Sequence, residues 1–361
     1  MKTGVANLPL HYGSAPSWLF RRMVILARYI VIGIVSEFGS IELLKRLSDP
    51  FWFQSFGCLL GFDWHSSGLT TTVCAALKEG IKDIQKDLGL FIVGGKGKYA
   101  RQAPFEIINV ANRRLINCNP QKLIYSSRLS AKIDNSAILD GFNIYHHTFI
   151  FTKEGDWAVI QQGMNEKTSW ARRYHWFSKE LKEFVCEPHT AICGLNKVQT
   201  LNLVASESKQ SRLAITHLLQ QKPSFLLNKI EKIKTLNLPS RHYFSLNEIN
   251  NSRLKKIILT AYIKNPSDFE QVLTIKNLGP QSLRALTFIA QIIYGTEPSF
   301  KDPLSFSFAH GGKDGIPYPV NRKNYDQSIE IMKKSIIKSN LGWQVKNDTL
   351  KKLAIFYDRS K

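Results

Sequence analysis

The change in hydrophobic period along this chain constrains its fold most. Residues 137–165, AILDGFNIYHHTFIFTKEGDWAVIQQGMN, alternate apolar and polar positions in two runs joined by TKEGD, with Gly155 in the turn. A period of two places successive side chains on opposite faces of a strand, and a Gly-containing turn between two such runs closes a hairpin. On either side the period is helical. Helices are predicted in SAPSWLFRRMVILARYIVIGIVSEFG, opened by Ser14 and Pro16 and stopped at Gly39, in SIELLKRL, and in TTTVCAALKEGIKDIQKDLG, which ends at Gly89. Between the last two lies the largely apolar DPFWFQSFGCLLGFDWHSSG, and LFIVGGKGKYARQAPFEI reads as a strand, a Gly-rich turn and a basic loop. Helical spacing returns after about residue 207, in SRLAITHLLQQ, PSFLLNKIEKIKTL, SLNEINNSRLKKIILTAYIKN and PSDFEQVLTI. With ASESKQ (205–210) as linker, the pattern predicts an α+β protein. A mixed N-terminal domain, 1–205, would carry a small β-hairpin or sheet, and a helical domain, 211–361, would follow.

Charge restricts the partners. Lys and Arg number 49 against 28 Asp and Glu, a net charge of +21, and from Ser208 onward 25 basic residues face 11 acidic ones. Such a surplus points to a polyanion, DNA first, with RNA attracted by the same charges. A membrane partner is not expected. The one apolar run of suitable kind, MVILARYIVIGIVSEF (23–38), is interrupted by Arg28 and Glu37 and falls short of the roughly 20 apolar residues a span needs. It reads as a buried helix. Five cysteines without a CxxC pair or a leading signal peptide fit a reducing, cytoplasmic setting.

The stretch LTIKNLGPQSLRALTFIAQIIYG (273–295) sets Asn277-Leu278-Gly279-Pro280 between two apolar helical runs. Gly279 is expected to supply unusual backbone angles and Pro280 the first helical position, leaving backbone N–H groups open to an anion at a helix start. This resembles the helix-hairpin-helix motif of DNA glycosylases, ligases, nuclease subunits and the bacterial RNA polymerase alpha subunit. The resemblance implies that Asn277, Gly279, Gln281, Ser282 and Arg284 hold a DNA backbone. Gln281 stands where glycosylase-lyases of this kind have a Lys, which argues against lyase chemistry. The fold alone would also explain the turn as a structural helical hairpin.

Several clusters carry residues suited to chemistry. GFDWHSSGLTTT contributes Asp63 and His65, an acid–base or metal-binding pair, or else a polar turn capping a helix. GGKGKYAR offers Lys96, Lys98 and Arg101 for phosphate, without the spacing of a P-loop. The central strands carry His146, His147, Gln162 and His175, and ARRYHW adds Arg172 and Arg173; His146 and His147 must face opposite sides of their strand. FAHGGKDGIPYPVNRKNYD places His310 and Lys313 among glycines and prolines. LPLHYGSAPSWLF, SDPFWFQSFGCLLGFDWHSSGLTTTV, YHHTFIF, WAVIQQGMN, ARRYHW, EPH and the His310 run together resemble a family of archaeal and bacterial proteins catalogued only as a domain of unknown function. That resemblance implies no activity. The leading expectation is a DNA-binding and DNA-processing protein, a repair nuclease. Its catalytic residues would be Asp63, His65, His146, His147, Gln162 and His175, and Mg²⁺ or Mn²⁺ its expected cofactor. The alternatives are a glycosylase without the lyase Lys, using Asp302, and a non-catalytic DNA-binding module.

Overall fold

The computed structural model describes residues 15–62, 66–195, 197–234 and 251–307. Helix α1 (Ser17–Phe38) starts behind Pro16 and stops at Gly39, whose φ of 85° favours glycine. Its buried stripe includes Arg28, whose guanidinium donates to the Gly80 carbonyl and to the Asp83 carboxylate. The charge that interrupts the apolar run is therefore neutralised inside the protein. Among the described residues no helix is long and apolar enough to cross a membrane.

Helix α2 (Ser40–Ser48) leads into α3 (Pro50–Leu59), a helix within the apolar stretch to which the sequence pattern assigned no element. The Asp49 carboxylate accepts from the backbone N–H of Phe51 and Trp52, and Pro50 takes the first position. Helix α4 (Ser67–Ile81) is capped by Ser66, and α5 (Gln85–Leu88) ends at Gly89.

A sheet follows, larger than the predicted hairpin. Strands β1 (Leu90–Lys96), β3 (Asn143–Thr152), β4 (Trp157–Asn165), β5 (Trp170–Phe177) and β6 (Ala191–Gly194) lie in that order, each antiparallel to its neighbour. The two-residue β8 (Phe306–Ser307) pairs parallel to β6. Strand β2 (Ile138–Leu139) pairs with β7 (Leu201–Asn202) in a separate ladder. Between β1 and β3 the chain forms α6 (Ala103–Asn112) and α7 (Pro120–Ser136), and after β7 it forms α8 (Lys209–Gln220), α9 (Pro223–Lys234), α10 (Asn251–Lys264), α11 (Phe269–Leu273) and α12 (Pro280–Tyr294).

Both faces of the sheet are covered. Ile92, Ile150, Ile160 and Phe177 pack with the helices before residue 89, whereas Phe91, Phe149, Val159 and Trp176 pack on the other side. This second core runs without a break into Leu218, Ile257, Leu283, Leu286 and Ile289. The sequence linker at 205–210 thus joins helices that share a core with the sheet.

Candidate functional site

The strand registers assemble polar residues into two sets, one on each face of the sheet. Lys96, His146, Gln162, Arg173 and Cys193 are successive cross-strand partners from β1 to β6. Gly95, His147, Gln161, Tyr174 and Ile192 form the adjacent row. His146 and His147 accordingly join different networks.

His147 belongs to the α7 side. Its Nε2 lies 2.8 Å from Ser127 Oγ and its Nδ1 3.0 Å from Gln161 Oε1. Because an amide oxygen only accepts, Nδ1 carries the proton and Nε2 accepts from the serine hydroxyl. The Gln161 amide N–H donates in turn to Asp134, which also accepts from Trp176 Nε1 at 3.0 Å and lies 2.6 Å from His189 Nε2. Burial lowers the His147 pKa to about 4 and pushes the Asp134 carboxyl up, against the pull of His189. With both ring nitrogens engaged, His147 ties α7 to the sheet.

His175 is engaged in the same way. Its Nδ1 is 3.1 Å from the Leu47 carbonyl and its Nε2 accepts from Arg173 Nε at 2.8 Å. Arg173 is fully buried, with two further N–H groups directed to Gln54 Oε1 at 2.9 Å and Thr70 Oγ1, and its guanidinium over the Phe53 ring. Arg172 is equally buried on the opposite face. It donates to Asp140 at 2.9 Å and, through two nitrogens, to Asp302 at 3.0 and 2.8 Å. Neither arginine reaches the surface, so neither can meet a DNA phosphate as the sequence suggested. Asp302 accepts also from the backbone N–H of Val198 and Leu304. Four donors thus meet the carboxylate on which the glycosylase alternative rests.

His146 and Gln162 differ from these. A register shift between Ile144 and His146 makes a bulge, and Tyr145 stands in it. Bulges re-aim side chains and recur beside active sites. His146 Nε2 is 2.9 Å from Thr148 Oγ1, while Gln162 Nε2 donates to the Ser67 carbonyl at 2.9 Å and to the Tyr145 hydroxyl. Buried His146 Nδ1 and Gln162 Oε1 have no hydrogen-bond partner among the described residues. An orphaned buried polar atom costs about 1–3 kcal/mol, and here two stand on register-paired residues. Burial, helped by His147 and Lys96, lowers the His146 pKa to about 3. A neutral imidazole of that kind accepts a hydrogen bond or binds a metal, but is a poor general base near pH 7. Asp63, His65, His310 and Lys313 lie outside the described residues.

The basic loop is surface. Gly94 begins it with φ 82° and a position where a Cβ would lie 2.2 Å from the His147 carbonyl oxygen, so only glycine fits. Lys96, Lys98 and Arg101 are exposed beyond it, the last two in a 3₁₀ turn over Gly97–Gln102.

The turn at 277–280 is built as a helix, a tight turn and a helix, though its strain sits elsewhere than expected. Gly279 has φ −109°, open to any residue, whereas Asn277 holds the left-handed φ of 64°. Helix α12 starts at Pro280 without a side-chain cap, leaving the N–H groups of Gln281 and Ser282 without the partner a capping side chain would give. Gln281 is exposed and Arg284 half-buried, but the Ser282 side chain is buried. Two cations missed by the sequence reading hold the turn. Lys132 of α7 donates to the Leu278 carbonyl, and Arg253 of α10 donates to the Asn277 carbonyl at 3.2 Å. Burial, with repulsion from Arg253, lowers the Lys132 pKa to about 8. Their separation in sequence from the turn gave no local signal.

The family described as "Protein of unknown function (DUF763)" matches residues 4–320. No curated protein and no solved structure matches the chain.

Proposed function

This chain belongs to the family described as "Protein of unknown function (DUF763)", and we propose that it binds DNA and processes the bound strand as a repair nuclease. One observation carries the DNA reading. At a turn whose following helix lacks a side-chain cap, Lys132 and Arg253 both donate to turn carbonyls, burial and then Arg253 lower the lysine's pKa, and among the described residues no carboxylate pairs with Lys132. Crowded cations beside open helix N–H groups favour an incoming phosphate. In this reading the segment acts as a helix-hairpin-helix: Asn277 sets the turn, Gly279 permits close approach, and Gln281 and Arg284 flank the phosphate. Lys96, Lys98 and Arg101 give further backbone contacts. Such contacts position a strand without reading its sequence.

The cutting chemistry is proposed for the end of the row at His146 and Gln162, with Asp63 and His65 as the acid–base residues. Phosphodiester hydrolysis there would have water attack phosphorus and the P–O ester bond break. The expected Mg²⁺ or Mn²⁺ takes mainly oxygen ligands, carboxylates among them. The described residues of the row supply one imidazole nitrogen and one amide oxygen, and among the described residues no group of three His, Cys, Asp or Glu gathers. They do not by themselves fit the ion, and no step is assigned to it.

The test is a panel of duplex, flapped, branched, damaged and single-stranded DNA, with and without Mg²⁺ or Mn²⁺, followed by binding and cleavage. A footprint of about five phosphates gives a log–log salt slope of about −4 to −5 on duplex DNA. Asp63→Asn and His65→Ala are expected to abolish cleavage and retain binding. A flat salt response would remove the DNA reading; normal cleavage by both variants would remove this site, and binding without cleavage of any substrate would leave a binding module.

A further inference from the structure

The Gly-rich connection from β1 to α6 carries more than charge. Residues 94–105, GGKGKYARQAPF, contain three cations and no carboxylate. The next residue, Glu106, is consumed internally, 2.7 Å from Lys78 Nζ and accepting from the Gly94 N–H at 3.0 Å. Between and after the cations stand two aromatic rings on the surface, Tyr99 at 51% exposure and Phe105 at 70%. Leaving a phenylalanine so exposed forgoes the roughly 1.5–3 kcal/mol that burying it would contribute. The turn that presents the rings is rigidly specified, because Gly94 cannot carry a Cβ and Glu106 pins its backbone.

We propose that this loop is a stacking platform for an unpaired polynucleotide strand. The inference rests on the DNA reading above and narrows it to a substrate class. Lys96, Lys98 and Arg101 would follow the phosphates, while Tyr99 and Phe105 take the faces of unstacked bases. A duplex hides those faces, so rings flanked by cations suit a strand whose bases are free. Lys96 also approaches a third ring: its Nζ sits 6.0 Å from the centre of the half-buried Tyr145 ring, whose hydroxyl meets Gln162. The platform thereby adjoins the row that ends in the orphaned His146 and Gln162 atoms. An anionic lipid surface would also attract the cations, but the 94–105 segment exposes two aromatic rings and no large aliphatic side chain, which favours stacking over insertion.

The test measures anisotropy of three labelled ligands with the full chain: a single-stranded oligothymidylate, a strand of equal length without bases, and a duplex. Wild type is expected to prefer the oligothymidylate to the baseless strand. Tyr99→Ala and Phe105→Ala are each expected to weaken oligothymidylate binding by about five-fold or more, with duplex and baseless-strand affinities changed less than about two-fold. Tyr99→Trp should restore binding. Both rings are exposed, so a thermal melt of each variant should match wild type and show that folding is intact. Duplex binding with equal affinity for the single strand in wild type and the double alanine variant would overturn the platform alone. The same holds if vesicles of phosphatidylglycerol lose affinity in that variant while oligothymidylate does not. Failure of wild type to bind any of the three nucleic acids would remove the DNA reading as well.

Discussion

Asp302 separates a structural role from a catalytic one. It stands in a loop after the predicted hairpin, where the sequence resemblance would put a glycosylase's acid, yet its side chain is only 2% exposed and faces the equally buried Arg172. Asp302→Asn keeps the size and removes the charge. The carboxylate accepts from two Arg172 nitrogens and from the N–H groups of Val198 and Leu304. An asparagine presents one oxygen and an NH₂ group, so one pair of donors is left facing another donor. Breaking a buried ion pair from one side costs about 3–5 kcal/mol. With an unfolding entropy of about 2.1 cal/mol/K per residue, a cooperative unit of this chain's size converts that loss to a fall in Tm of about 4–7 °C. Calorimetry on wild type and variant measures it. Arg172→Met combined with Asp302→Leu should recover part of the loss, since a buried pair replaced on both sides by apolar groups can be neutral, although Asp140 would then need a new partner. A Tm within about 1 °C of wild type, with activity on damaged bases lost, would refute the structural assignment and return Asp302 to the chemistry.

Three further outcomes follow from local geometry. Gly94→Ala places a Cβ 2.2 Å from the His147 oxygen at φ 82°, so a loss of about 2–5 kcal/mol is expected in urea unfolding; a loss below about 1 kcal/mol would mean that the strand and loop adjust freely. Asn277→Val should weaken both stability and duplex affinity because a β-branched residue resists φ 64°, whereas Gly279→Ala should retain stability, its Cβ resting 3.4 Å from Arg253 Nη2; the reverse order would put the strain back at Gly279. His146 and His147 have folded pKa values of about 3 and about 4, below the unfolded value of about 6.5. The unfolded chain therefore binds protons first, so their contribution is complete above about pH 6.5 and is lost as pH falls toward 4, each histidine adding about 1.4 kcal/mol per pH unit to the slope. Denaturant unfolding at pH 7, 6 and 5 should show a shallower acid loss in His147→Gln, and an unchanged slope would count against a neutral buried imidazole.

The parts of the fold legible in the sequence are those in which one face is apolar and the other is not. Helices α1, α2 and α8 show a helical period and end near Gly39, Ser48 and Gln221, and the β3–β4 hairpin shows its turn at Gly155. Helix α7 was not legible, because its buried face mixes Leu123, Ile124, Leu129 and Ile133 with Ser126, Ser127, Ser130 and Asp134; hydrogen-bonding groups turned inward blur the hydrophobic period. Strand β5 was partly hidden for a related reason. Every residue of Ala171–Phe177 is buried, so its arginines and histidine read as surface chemistry, while their partners lie far off in sequence, Asp302 at a separation of 130 and Gln54 at 119. The same contrast sorts the site. Polar residues whose partners come from other elements, as Arg172 with Asp140 and Asp302 or His147 with Ser127 and Gln161, are held by the fold. His146 and Gln162 are alike in burial and in register but keep an unmatched atom each. Farther along the same face the paired positions are apolar, Ile150 opposite Ala158. The retained cost is what directs attention to this end of the sheet, where the basic loop begins at Gly94 and the chain enters α4 at Ser67.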